Sequence, residues 1–242
     1  MFLIAMGEAK ASPFVLWTMY IVAGMACMPD RWPASLRVML SLKKQVDTLF
    51  LSLNGFAKTP PELLDEDWIK VSHIGHNVGD IGKFADVECD YYLSCDDDLI
   101  YPETYVDDFL QAADRLPGHV LTHHGNDAKG PTNSYFKMRY QATRIQCLMR
   151  NDQEIPLTIP GTGVTFYPGE VYSELYSRLF DGWNHADLIV GKILQDMDVP
   201  LTTIKHPKHY FEYLAPPKGA TIWEQNVKWD KKMTDIWNTI GL

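Results

Sequence analysis

The sequence predicts an α/β protein built on a doubly wound, mostly parallel sheet flanked by helices. Three observations predict it. Apolar runs of strand length alternate with amphipathic stretches of helix length through the first half of the chain. Turn signals such as Asn54-Gly55 separate them. No internal repeat, low-complexity tract or long linker interrupts the 242 residues, which read as a single domain, 1–242.

The elements follow in order. "TMYIVAGMACM" (18–28) reads as a fully buried strand. It lies within "ASPFVLWTMYIVAGMACMP", 19 uncharged residues that approach the length of a membrane span. Pro13 and the small cluster "AGMAC" fit a loop feeding a buried strand instead, and no integral membrane segment is expected. "MFLIAM" is too short for a signal-peptide core and lacks a cleavage signature. Pro33 opens a helix over 33–45, with Leu36, Met39, Leu40 and Lys43 on one face. Strands are predicted at 47–55 and 68–75, and a loop entering a short helix at 77–86.

A fourth strand, "CDYYLSCDDD", precedes a helix over 102–116 with Val106, Phe109, Leu110 and Ala113 on its apolar face. A fifth strand is read at 119–125, and 126–155 reads as a loop with one short helix. Strand material surrounds Gly161 and Gly163, helices cover 169–180 and 185–197, and a strand covers 199–207.

A net charge of −9 argues against nucleic acid or an anionic membrane as a general partner, since both require clustered lysine and arginine. The four cysteines lack metal-ligand or disulfide-framework spacing and read as buried thiols in a reducing, cytoplasmic setting.

Asp96, Asp97 and Asp98 stand at the end of an apolar run with no lysine or arginine beside them in sequence. In doubly wound sheets ligands bind beyond the carboxyl ends of strands, where strand order reverses. Adjacent carboxylates there are tolerable if wet or if a hard divalent cation and phosphate oxygens accompany them. Acidic capping of the following helix is the plain alternative, but a cap needs one carboxylate.

These segments together resemble a GT-A-fold glycosyltransferase, close to the broad family 2 and to a bacterial subset reading roughly GDxGKF. "CDDDLIYPETYVDDF" is similar to the DxD motif and its helix, and "GHNVGDIGKF" to a nucleotide-contacting loop. "PGTGVTFYP" and "HADLIVGKILQDMDVPL" are similar to the later acceptor-side glycines and acidic helix start. The resemblance spans about 20–210. It implies transfer of a sugar from a nucleoside-diphosphate donor, UDP-linked by expectation, to a hydroxyl of a glycan or glycolipid, with Mn²⁺ or Mg²⁺ as cofactor.

By the same resemblance, Asp96 contacts the nucleotide side, Asp98 holds the metal, and Asp97 stays open between those roles. Arg31, Asp80 and Lys83 are implied nucleotide-sugar contacts; an exposed Arg31–Asp30 pair and a solvated Lys83 are the alternatives. Asp187 stands where the family keeps an inverting catalytic base, although Ala186 replaces the usual glutamate, and a helix-end charge is the other reading. His206 resembles a downstream metal ligand, with His209 as competitor. His124, Gly161, Gly163 and Trp183 are implied on the acceptor side. The C-terminal segment with Trp223, Trp229 and Trp237 could cover the acceptor cleft or mediate self-association. A sugar nucleotidylyltransferase and a non-catalytic nucleotide- or glycan-binding module are the competing readings. The former lacks its glycine-rich signature in "GMACMPDRW".

Overall fold

The structure, a computed structural model, describes residues 19–179, 185–215 and 230–239. In chain order the elements are β1 (Ile21–Cys27), α1 (Trp32–Leu42), β2 (Thr48–Asn54), β3 (Ile69–Gly75), β4 (Tyr91–Cys95) and β5 (Leu99–Ile100). Then come α2 (Tyr105–Arg115), β6 (Val120–Thr122), β7 (Gly125–Asp127), α3 (Tyr135–Gln141), β8 (Thr143–Ile145), β9 (Pro156–Leu157) and β10 (Ile159–Pro160). The last are β11 (Val164–Pro168), α4 (Gly169–Arg178), α5 (Ala186–Asp196), β12 (Leu201–Thr203), β13 (Glu212–Tyr213) and α6 (Asp230–Thr239).

Eight strands form one mixed sheet in the order β3-β2-β1-β4-β11-β6-β12-β9. β1 pairs parallel with β2 on one side and with β4 on the other, so the strand order reverses at β1 and β4. β11 runs antiparallel between β4 and β6, and β9 runs antiparallel to β12. β1 and β4 are buried on both faces, which is why each reads as a continuous apolar run without alternation.

Helix α2 packs Tyr105, Val106, Phe109 and Ala112 into the core, and the Phe109 ring stacks on Phe166 of β11 with centroids 5.0 Å apart. Each such fully buried aromatic contributes roughly 1.5–3 kcal/mol relative to exposure. On the opposite face Tyr92 stacks on Tyr172 of α4.

Local differences from the sequence reading have identifiable causes. In α1 the buried face is Ser35, Val38, Met39 and Leu42, while Leu40 is 66% exposed. The predicted strand 119–125 stops at Thr122, whose hydroxyl accepts from the His124 amide and turns the chain. After that turn β7 joins β8 and β10 in a second, three-stranded sheet, and with α3 these fill the stretch read as mostly loop. The strand predicted over 199–207 is confined to β12. Among the described residues no helix is long and apolar enough to cross a membrane.

Candidate active site

The acidic triplet begins directly after β4, and the turn Pro29–Arg31 follows β1 across the point of reversal. Arg31 Nη1 donates to Asp97 Oδ1 at 2.6 Å and lies 3.6 Å from Asp98 Oδ2. Ser35 Oγ donates to Asp97 Oδ2 at 3.3 Å. Lys83 Nζ, in the 3-10 turn Gly79–Lys83, donates to Asp96 Oδ1. The cations missing from the local sequence are thus supplied from 66 and 13 residues away. The triplet does not cap α2: β5 intervenes, and α2 starts at Tyr105 with Asp107 and Asp108 in its own first turn.

The three carboxylates differ in charge balance. The surrounding protein desolvates Asp96, but Lys83 and then Arg31 more than offset this and hold its carboxyl below the usual range. Burial raises Asp97 despite its Arg31 partner. Asp98 is pushed up to about 7 by burial and then by Asp96 and Asp97, against Arg31 and Lys83. Of the three, Asp98 has the longest contact to a cation, 3.6 Å to Arg31 Nη1.

Asp80 and Asp187 meet at the start of α5. Asp80 Oδ2 accepts from the Ala186 amide at 3.2 Å, while Asp80 Oδ1 is buried without a partner. Burial pushes Asp80 up to about 7, with Lys83 opposing and Asp187 and Asp96 adding to the rise. Asp187 takes both of its hydrogen bonds on Oδ1, from the Thr162 amide at 2.8 Å and the Thr162 hydroxyl at 2.7 Å. Asp80 takes the first amide of α5, and Asp187, the acidic residue in that helix's first turn, turns its Oδ1 to Thr162.

Gly161 and Gly163 are fixed by close approach. A Cβ on Gly163 would lie 1.9 Å from Asp96 Oδ2, and one on Gly161 would lie 2.8 Å from His124 Cβ. Tyr101 ties this loop to the triplet: its hydroxyl donates to the Gly163 carbonyl at 2.6 Å and accepts from the Asp96 amide at 2.8 Å. The His124 side chain, half-buried, is pushed down to about 4 by burial and then by Arg139 and Arg144, against Asp187 and Asp96. Arg139 and Arg144 went unnoticed in the sequence because α3 and β8 are too short to give a readable pattern.

His206 is buried, with its ring 5.1 Å from His123 and near Tyr210. None of its described contacts is with the triplet. Trp183, Trp223 and Trp229 lie outside the described residues, whereas Trp237 of α6 is buried against α3 and donates to the Gly130 carbonyl.

Among the described residues no three His, Cys, Asp or Glu side chains form a ready metal cage. The set fits a hard divalent cation in a narrower sense: Asp98, without the close ion pair that Asp96 and Asp97 each make, would hold it together with phosphate oxygens and water.

No protein-family model and no curated protein sequence matches the chain. Among solved structures it is similar to GalNAc-T7 with UDP, GalNAc and Mn²⁺, with a TM-score of 0.56 at 10% identity over 83% of this chain. The chain spans 44% of that protein's chain. The likeness is one of fold, and this chain has a GT-A-like fold.

Proposed function

We propose that the protein is a metal-dependent glycosyltransferase that moves a sugar from a nucleoside-diphosphate donor, UDP-linked, to a hydroxyl of a glycan or glycolipid, with inversion. The observation that carries this reading is the placement of Asp96, Asp97 and Asp98 directly after β4, at the strand-order reversal. Its support from likeness is a fold shared with a protein crystallised with UDP and Mn²⁺.

On the donor side, Asp98 holds the divalent cation. A bound Mn²⁺ or Mg²⁺ supplies Lewis-acid neutralisation of the charge that grows on the departing diphosphate. Arg31, Lys83, Asp80, Asp96 and Asp97 form the nucleotide-sugar surface. Within it Asp97 fixes Arg31, and Lys83 fixes Asp96. His206 is a candidate further ligand only if its ring leaves His123 and Tyr210.

On the acceptor side, Asp187 removes the hydroxyl proton as that oxygen attacks the anomeric carbon. Thr162 binds Oδ1 and so presents Oδ2 to the acceptor. Gly161 and Gly163 let the backbone approach His124 and Asp96, and His124, neutral at physiological pH, lines the acceptor side.

The test is calorimetry with UDP and Mn²⁺, followed by product analysis with UDP-sugars. Expected are metal-dependent UDP binding and slow donor hydrolysis or transfer, both collapsing in Asp98→Asn. Wild-type turnover by that variant at saturating metal would remove Asp98 from the reaction. Binding without any product would leave a non-catalytic module.

A further inference from the structure

We propose that Tyr101 is a positioning residue whose hydroxyl sets the spacing between the acidic triplet and the loop whose Thr162 binds Asp187, and so places the candidate base against the donor. This inference rests on the transferase reading above and deepens it.

The antiparallel ladder between β4 and β11 ends at the pair Cys95–Val164. Val164 turns its amide to the Gly161 carbonyl and its carbonyl to the His123 amide. Backbone groups alternate in direction along a strand, so those of Gly163 are the next to point at β4, opposite Asp96. The Tyr101 oxygen occupies that step. It accepts from the Asp96 amide at 2.8 Å and donates its single proton to the Gly163 carbonyl at 2.6 Å. The other acceptor within reach, the Asp96 carbonyl, is further off at 3.4 Å. A direct bond would bring the same amide and carbonyl to about 2.9–3.0 Å, so the inserted hydroxyl holds the two strand ends apart.

Each side of this oxygen leads to a candidate functional group. Asp96 continues directly into Asp97 and Asp98. Next to Gly163 stands Thr162, whose amide and hydroxyl both bind Asp187 Oδ1, at 2.8 and 2.7 Å. The hydroxyl is itself held in place: Tyr101 is 2% exposed, its ring packs on Tyr105 and edge-on to Phe211, and its amide donates to Ser41 Oγ at 3.1 Å. Burial keeps it protonated, so the bond to Gly163 persists. Without the hydroxyl, the Asp96 amide and the Gly163 carbonyl either stay unmet or close into a direct bond, and the spacing is no longer set. The contacts of Lys83 with Asp96 and of Asp80 with the Ala186 amide remain, so the change is one of distance within an intact fold.

The test uses the full-length protein with Mn²⁺ and four donors: UDP-glucose, UDP-galactose, UDP-N-acetylglucosamine and UDP-N-acetylgalactosamine. The donor that the wild type hydrolyses fastest is carried forward, with water as the acceptor. Y101F keeps the ring contacts. Its kcat should fall by roughly tenfold or more, the scale of a small misplacement of reacting groups, with the UDP–Mn²⁺ dissociation constant kept within about twofold. T162V, which removes only the hydroxyl on Asp187, should also lower kcat by about tenfold. Residues that act through one spacing are non-additive, so Y101F/T162V should lose no more than about twofold beyond the poorer single variant. Losses that multiply overturn the proposal, since Tyr101 would then act on the triplet independently of Thr162. An unchanged kcat in either single variant overturns it too. A tenfold fall in UDP affinity in Y101F overturns it differently, by making Tyr101 a support of the nucleotide-contacting carboxylates. Failure of the transferase reading is separate, being a wild type that hydrolyses none of the four donors, and the proposal falls with it.

Discussion

Asp80 Oδ2 accepts the backbone amide of Ala186, so a side chain from the turn after β3 holds the start of the helix that carries Asp187. The two halves of the candidate site are joined through this hydrogen bond, and Lys83, one turn further along, ties the same segment to Asp96. The turn Gly79–Lys83 thereby contacts both the start of α5 and the acidic triplet.

Asp80→Asn tests the energetic side of that coupling. Asp80 rises to about 7 in the folded chain through burial, against about 3.8 unfolded. The folded state thus holds a proton that the unfolded state has lost, and Asp80 costs stability progressively as pH rises from about 4 to about 7. The amide variant carries no such charge. Its melting temperature relative to wild type should therefore climb across that window and level off above it, by roughly 2 kcal/mol or about 4–8 °C after allowance for partial solvation. Paired melts from pH 4 to 8 in chelator measure this difference directly. Lys83, Asp187 and Asp96 are the charged neighbours, and a difference that stays flat with pH would show that they already keep Asp80 ionised.

Lys83→Met leaves Asp96 and Asp80 without their shared cation. The lysine side chain is only 5% exposed, so the loss is one of a sequestered charge partner. A cost of about 3 kcal/mol in urea denaturation is expected, along with loss of UDP affinity. A surface lysine would give less than about 1 kcal/mol.

Asp187→Asn should lower kcat by about 10²–10⁴-fold with UDP–Mn²⁺ affinity kept. The amide preserves the contacts to Thr162 in shape but cannot take the acceptor proton. Steady-state kinetics beside calorimetry separates the two effects. A tenfold fall in donor affinity with kcat intact would make Asp187 a donor contact instead.

Gly163→Ala drives a methyl group into the Asp96 carboxylate. We expect a loss of about 1–3 kcal/mol in stability from overpacking and a larger relative loss in donor binding, because the displaced group is Asp96 itself. Gly130→Ala, at a positive-φ turn where an added Cβ meets nothing within 4 Å, should cost stability through backbone strain alone and leave donor binding unchanged.

The order of strands and helices could be read from the sequence because β1, β2 and β4 are buried on both faces and α2 on one. Position at a strand end gave the triplet its place. Its partners could not be read, because Arg31 and Lys83 reach it only once β1 and β4 lie side by side. The face of α1 was misjudged by one position, as Leu40 and Val38 are equally apolar and only packing distinguishes them. The second sheet was missed because two- and three-residue strands carry no periodicity. Arg144 of β8 and Arg139 of the short helix α3 were missed for the same reason.

The two-residue ribbon of β5 and β13 has a consequence for recognition. Glu212 and Tyr213 pair with Ile100 and Leu99, and the next amide, that of Leu214, binds the Asp98 carbonyl at 2.8 Å. The backbone beneath the carboxylates is clamped from a distant part of the chain before any nucleotide arrives. Association should then cost little ordering entropy at this loop, and free and liganded forms should superpose there to within about 1 Å.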